Sequence, residues 1–362
     1  MAENKKVYMI LTNGFDPDVR VYKEAKYISS RGYDVEILCW DRKCNYLKNQ
    51  NEKFGNIVIK RFSFSAVPGT GIKQIKSYYK FLINVKRYLK TKEYAFLHCH
   101  DFDGALIGFI CNIGRKKDNM IFDMHEIYDN YKFAKIKMIF NFMYSKLLKF
   151  SKFIIYVNDE QIKGFEKYKG KLIYLPNFPS LETYMPIKKN NSDKLCINYI
   201  GAVRDYQSLK TLCDINNYSI GIYGTGAEYE SLKRDMKNNS NVILYGKFNG
   251  IKESGEIYRK TDILYCVYNP SVLNWRVAYP VKLSEAIVTE TPIIVSKDTE
   301  VGKFVEQNSI GMEVKYANRD ELQMAIKMIK KNYSSYVNNI KKIKENYVWE
   351  DVAKNLDYIY CI

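Results

Sequence analysis

Ala278-Tyr-Pro-Val-Lys282-Leu-Ser-Glu285-Ala-Ile-Val-Thr-Glu-Thr-Pro292-Ile-Ile-Val-Ser296 is the stretch on which the fold turns. Pro280 fixes φ and lacks an N–H, which suits a first helical turn. Leu283, Ala286 and Ile287 follow at helical spacing, and Thr291-Pro292 closes the helix. Ile293-Ile294-Val295 is then a short, wholly apolar run, the pattern of a buried parallel strand. Lys282 and Glu285 stand three apart, on adjoining turns and near one face. A helix N-terminus carries partial positive charge and unbonded N–H groups, so this one suits an anion, with Lys282 adding charge. Glu285 only accepts hydrogen bonds and could take them from a pair of sugar hydroxyls. The same residues also read as an ordinary capped helix with a solvated Lys–Glu pair.

Around this stretch the composition sets limits. The 362 residues suffice for two domains, each with its own core. Hydrophobic content of 46% and charged content of 27% indicate a soluble globular protein. The opening Met-Ala-Glu-Asn-Lys-Lys leads directly into a strand-like run, so no secretory signal is expected, and no apolar run reaches membrane-spanning length. The eight cysteines are scattered without a Cys-x-x-Cys pair, as expected of free thiols in a reducing cytoplasm. Net charge is +17, and fourteen of those charges lie before residue 172.

In chain order, Val7–Thr12 reads as a strand, Asn13-Gly14 as a turn, 19–30 as a helix stopped by Arg31-Gly32, and Asp34–Trp40 as a second strand. This β–turn–α–β unit favours a parallel sheet. The turn lacks G-x-G-x-x-G, so a dinucleotide cofactor is not indicated; Gly14 would let the backbone approach a ligand, or serve turn geometry alone. The only three histidines, His98, His100 and His125, fall at the ends of two predicted strands, where open α/β sheets line their ligand crevice. His98-x-His100-Asp101 hints at a metal, but no Cys or further His is spaced to complete a site, and none is expected. Two segments, 72–92 and 131–152, carry seven and six basic residues and no acid, with apolar residues between them. Lys73, Lys76, Lys80, Lys132, Lys135, Lys137 and Lys146 are therefore candidates for contact with an anionic membrane, unless both apolar stripes pack on the protein's own sheet. Pro176 to Asp193 is the best linker. After it, Leu195–Ile200 opens a second β/α series, with Gly201, Arg204 and Lys210 as a plausible diphosphate clamp and Gly224-Thr-Gly226 as a glycine turn.

YPVKLSEAIVTETPIIVS, followed by Gly302, Val305 and Gly311, resembles the donor-site helix of retaining glycosyltransferases of family 4. The opening turn with GYDVEIL, the strand end FDMHE, the hinge-like YLPNFP and the Gly201–Lys210 element extend the resemblance over nearly the whole chain. It implies a GT-B fold, two Rossmann-like α/β domains with parallel sheets facing across a cleft. The N-terminal acceptor domain would span 1–180, with a linker at about 176–193. The donor domain would span 194–345, and a terminal helix over 346–362 would cross back to the first domain. By the same resemblance, Glu285 binds the ribose of a UDP- or GDP-linked sugar, with Leu283 beside it. The helix start with Lys282, Gly201, Arg204, Lys210, Gly224 and Gly226 holds the diphosphate, Gly14 lies near the donor, and His125 contacts the donor sugar. Retention would proceed by front-face attack, without a metal or other cofactor. The acceptor would be lipid-linked or a glycan, and the enzyme would be cytoplasmic, on the inner face of the plasma membrane, in cell-surface polysaccharide or glycolipid synthesis. Two departures stand out: Val277 occupies the position of a second family Glu, and Thr211 that of a glycine. Rival readings are a sugar-nucleotide epimerase of the same fold, which would turn over without an acceptor, and a non-catalytic binding module. A nucleic-acid binder ranks below both, because no recognised nucleic-acid motif appears.

Overall fold

Val7–Leu11 has no polar face: every one of its residues is buried, which requires a strand covered on both sides. In the computed structural model, which describes residues 5–16, 18–67, 71–115, 119–125, 134–184, 194–277 and 279–360, this strand lies within an eight-stranded sheet. Its strands are β1 (Lys6–Leu11), β2 (Asp34–Asp41), β3 (Asn51–Phe54), β4 (Ile57–Ser63), β5 (Phe96–His100), β6 (Met120–Asp123), β7 (Phe153–Tyr156) and β8 (Leu172–Tyr174). The order is β3-β4-β2-β1-β5-β6-β7-β8, parallel throughout except for the β3–β4 pair. The antiparallel β3 had no sequence signal, because Asn51-Glu-Lys-Phe54 is an exposed polar edge without alternation. Connections run outward in opposite directions from β1 and β5, so these two neighbours flank the switch point where such sheets bind ligands.

A second sheet has the order β11-β10-β9-β12-β13-β14 and is parallel throughout. Its strands are β9 (Cys196–Ile200), β10 (Ser219–Tyr223), β11 (Val242–Gly246), β12 (Ile263–Cys266), β13 (Ile293–Ser296) and β14 (Gly311–Val314). Here the switch point lies between β9 and β12. The chain divides into two compact units, Met1–Asn177 with Val352–Ile362, and Phe178–Asp351. Each is a Rossmann-like α/β unit with helices packed on its sheet. The C-terminal segment is a series of short pieces, helix Trp349–Val352, a 3-10 turn Ala353–Leu356 and helix Asp357–Tyr360, where a single helix was expected.

The opening stretch folds as a helix and a strand, with two local differences from expectation. The helix begins at Val281, one residue late, because Pro280 is extended and acts as its N-cap. It ends at Val288, ahead of Thr291-Pro292, because Glu290 turns left-handed (φ 54°) and Thr291 N–H bonds back to Ala286 O. Ion pairs from Lys344 and Lys341 reach Glu290 in that position.

Gly224 (φ 128°) fixes how two loops of the second sheet meet. A Cβ there would lie 1.9 Å from Gly201 O, so the turn after β10 can seat on the turn after β9 only without a side chain. Hydrogen bonds from Gly201 N–H to Tyr223 O and from Val203 N–H to Thr225 O complete that seam. Gly224→Ala should therefore destabilise residues 178–351 by about 2 kcal/mol or more. In urea unfolding the midpoint should fall, whereas Gly170→Ala, where a Cβ would meet nothing within 4 Å, should leave it near that of the native protein.

Candidate functional site

In the second unit the candidate residues collect at the carboxyl ends of β9, β10 and the segment after β12. Glu285 lies on the buried face of helix Val281–Val288, where both oxygens of its carboxylate are engaged by protein donors. Tyr184 Oη–H donates to Oε1 at 2.8 Å; Tyr258 Oη–H (2.8 Å) and Lys282 Nζ (3.0 Å) donate to Oε2. Burial pushes this carboxyl up, but Lys282 and the hydrogen bonds outweigh it and hold it below its ordinary value, so it is ionised. A carboxylate has about four lone-pair sites, and three are taken. A second hydroxyl from a ligand therefore requires Lys282 or a tyrosine to yield its place.

Lys282 also borders Gly201: a Cβ on that glycine would meet Lys282 Cε at 3.5 Å. The first turn of the helix and the end of β9 are thus neighbours. Arg204 is exposed, directly before Asp205, which caps helix Tyr206–Cys213. Lys210 sits in the last turn of that helix, and its ammonium is engaged by Asp214 Oδ1 and Oδ2, which neutralises it locally. The structure thus brings Gly201 and Lys282 together and gives Lys210 a carboxylate partner of its own. Leu283 is a core side chain, and its N–H bonds Pro280 O. A Cβ on Gly226 would lie 2.2 Å from Val203 O, so Gly224 and Gly226 both serve loop packing.

Sequence reasoning missed Asp205, Tyr184 and Tyr258. Asp205 accepts from Ser208 N–H, Asn269 N–H and Tyr316 Oη–H, tying the loops after β9, β12 and β14 together. Its capping position was visible; its distant partners were not.

The first unit has its own cluster at the ends of β1, β5 and β6. Gly14 has no positive φ, and a Cβ there would make only ordinary contacts, so neither backbone nor packing demands a glycine. His98 and His100 lie on β5, His100 as its last residue, and both are fully buried. Asp123, the last residue of β6, accepts a hydrogen bond from Arg20 Nη2 at 2.8 Å through Oδ1. Its Oδ2 lies 3.0 Å from His100 Nδ1 and 2.9 Å from His125 Nε2. Burial pushes Asp123 up, but Arg20 and His125 carry it well below the ordinary range. His125 keeps partial access to solvent, with Asp101 Oδ2 3.4 Å from its Nδ1. Burial lowers the ring's pKa, but Asp123 and Asp101 raise it to about 9, so His125 is an imidazolium at neutral pH. Its Nε2–H is taken by Asp123, so donation to a ligand oxygen requires Nδ1–H to turn from Asp101.

A family model described as "Glucosyltransferase 3-like, C-terminal domain" matches residues 270–349, a span that contains Lys282 and Glu285. Among solved structures, sucrose-phosphate synthase from Thermosynechococcus elongatus superposes with a TM-score of 0.75 at 14% identity, covering 99% of this chain and 98% of that one. Anabaena HepE in complex with UDP-glucose gives 0.70 at 10% identity, covering 99% and 100%. The apo form of the lipopolysaccharide outer core galactosyltransferase WaaB gives 0.61 at 15%, covering 98% of each. The fold is GT-B. No curated protein matches the chain in sequence.

Glu285→Gln preserves volume but sets an amide N–H₂ against hydroxyl donors and strips Lys282 of its counter-charge. We expect a loss of stability on the order of 3 kcal/mol at neutral pH. Because the folded carboxyl is held below its ordinary value, its contribution is present above that value and fades as the pH falls through the folded pKa. The gap between native protein and variant, read from denaturant midpoints, should therefore narrow on acidification. A gap of constant size from neutral to acid pH would show that Glu285 is not stabilised as an anion.

Proposed function

We propose that this protein is a retaining glycosyltransferase that moves a sugar from a UDP- or GDP-linked donor to a lipid-linked or glycan acceptor. The observation that carries this reading is the ionised carboxylate of Glu285, held by two tyrosines and Lys282 at the start of a helix beside Gly201. A rigid anion suits ribose hydroxyls, and a helix start with a lysine suits a diphosphate. Support also comes from the match over residues 270–349 and from neighbours of the same fold crystallised with UDP or UDP-glucose. In the proposed reaction the bond from the anomeric carbon to the diphosphate breaks. The acceptor oxygen bonds that carbon on the same face, and the acceptor proton passes to the leaving phosphate. Lys282, Arg204 and the helix start stabilise the developing charge, and Lys210 contributes when it releases Asp214. His125 acts on the donor sugar.

Nucleotide binding and turnover test this assignment separately. Among UDP- and GDP-sugars, one should raise the melting temperature at millimolar concentration. Glu285→Gln should weaken the nucleotide by about 1–3 kcal/mol. His125→Ala should spare nucleotide affinity and lower kcat, as expected for an interaction made in the transition state. Added Mg²⁺ or Mn²⁺ should leave the rate unchanged. Turnover of the nucleotide-sugar without an acceptor would favour the epimerase, and binding without any transfer would favour a non-catalytic module.

The acceptor assignment rests on the surface of the first unit. Helices Ile75–Leu89 and Ala134–Phe150 spend much of their apolar content on their own core: Phe81, Leu82, Val85 and Leu147 are buried, and Tyr78 and Phe140 pack against them. That part of the stripe is unavailable to a membrane. Ile75, Tyr79, Met138, Ile139 and Phe142 remain exposed, Met138 at 79%, among Lys73, Lys76, Lys80 and Lys146. Lys132 lies outside the described residues, as do the side chains of Lys135 and Lys137. We propose that this face rests on the anionic inner leaflet of the plasma membrane, where each cation contributes about 1 kcal/mol. The protein should sediment with anionic vesicles and not neutral ones, less so as salt rises. Replacing Lys73, Lys76, Lys80 and Lys146 by Gln should release it without affecting nucleotide binding. Indifference to anionic vesicles at low salt would leave a soluble acceptor.

A further inference from the structure

Beneath His125, four side chains able to ligate a metal converge from three elements in the interior of the first unit. His98 and His100, two apart on β5, face the same way; Asp123 stands opposite His100 in the β5–β6 register; Glu24 comes from helix Val19–Ser30. All four are buried, and one ligating atom from each lies within 4.8 Å of the others. His98 Nε2 is 3.5 Å from Glu24 Oε2 and 3.6 Å from Asp123 Oδ2, and His100 Nδ1 is 3.0 Å from Asp123 Oδ2. For tetrahedral zinc with bonds of about 2.0–2.1 Å, neighbouring ligand atoms stand about 3.3–3.5 Å apart. These three spacings lie around that value, within a cluster whose ligating atoms span up to 4.8 Å.

The surroundings orient these atoms as outer partners of a metal do. His98 Nδ1 meets Tyr360 Oη at 2.8 Å, which leaves Nε2 directed at the two carboxylates, and Nε2 has no hydrogen-bond partner. Arg20 occupies the outer oxygens, Asp123 Oδ1 at 2.8 Å and Glu24 Oε1 at 3.0 Å, so the inner oxygens Oδ2 and Oε2 face the imidazoles. Neither oxygen of Glu24 has a well-formed hydrogen bond, although both are buried. His98 Nε2 and both Glu24 oxygens are thus buried without a well-formed partner, which is costly, and a cation among them removes that cost.

We propose that Glu24, His98, His100 and Asp123 form a buried site for a divalent first-row cation of the zinc class. Two nitrogen and two oxygen ligands suit Zn²⁺ better than Mg²⁺ or Ca²⁺. Four protein ligands leave no position for substrate, so the metal is structural: it ties helix Val19–Ser30 to β5 and β6 and fixes Asp123, the partner of His125. Sequence spacing offered only the His98-x-His100 hint and no completing ligand, because Glu24 and Asp123 lie far along the chain from that pair. The proposal is independent of the glycosyltransferase reading and asks nothing of the diphosphate site.

Elemental analysis of the intact protein, purified without chelator or affinity-tag metal, tests it. About one zinc per chain is expected. Refolding with Co²⁺ as the probe should give the visible d–d absorption of a four-coordinate N/O site, and metal-free protein should melt at lower temperature. His98→Gln and Glu24→Gln should each lose the metal and the Co²⁺ band. Should either variant fail to fold, the content and Co²⁺ spectrum of the native protein decide alone. Native protein that is isolated without metal, shows no Co²⁺ band and gains no thermal stability from Zn²⁺ overturns the proposal. So does metal retained at unchanged stoichiometry in both folded variants.

Discussion

A single guanidinium holds the first unit's cluster of buried charges together. Arg20 is buried between Asp123 and Glu24, and its third contact is Leu175 O, just past β8. Unpairing such a buried charge costs about 3–5 kcal/mol, so the positions of helix Val19–Ser30, β6 and the end of β8 are strongly coupled. Asp123 is the centre of this arrangement: Arg20 takes one oxygen, and His100 and His125 approach the other. The state of His125, the only histidine with access to solvent, thus depends on an arginine more than a hundred residues earlier in the chain. Tyr360 extends the same network to the C-terminal segment through His98.

In the second unit the corresponding constraint is also a buried carboxylate, but its partners differ in kind. Glu285 draws on two tyrosine hydroxyls and one lysine, and the tyrosines come from helices Leu181–Tyr184 and Ser254–Arg259. Hydroxyls can rotate and a lysine can swing aside, so this site can exchange a protein donor for a ligand donor at modest cost. The Arg20 cluster has no such freedom. One arrangement suits binding and release, and the other suits fixing a single side chain in one charge state.

The basic helices of the first unit divide their apolar residues between core and surface. A helix on an α/β sheet must bury a face, and Phe81, Val85 and Leu147 do so. What distinguishes these helices is the apolar surface that remains: Ile75, Tyr79, Met138, Ile139 and Phe142 stay outside, among lysines. Burying the first set stabilises the domain; the second leaves apolar surface in water.

Local pattern determined most of the fold. Apolar runs such as Val7–Leu11 and Ile293–Val295, separated by helical spacing and glycine turns, specified alternating β and α elements and hence parallel sheets. The Lys282–Glu285 pair was legible because three residues on a helix bring two side chains together wherever the helix lies. Chain order could not reveal partners that arrive from elsewhere. The tyrosines on Glu285, the capture of Lys210 by Asp214, and the meeting of Glu24, His98, His100 and Asp123 each depend on packing. The polar edge strand β3 and the early stop at Glu290 were likewise invisible, since pairing and backbone conformation decided them against weak local preference. Sequence settled which elements form, because periodicity and turn chemistry act over a few residues; tertiary structure settled which charges meet, because burial sets their strength and burial belongs to the whole fold.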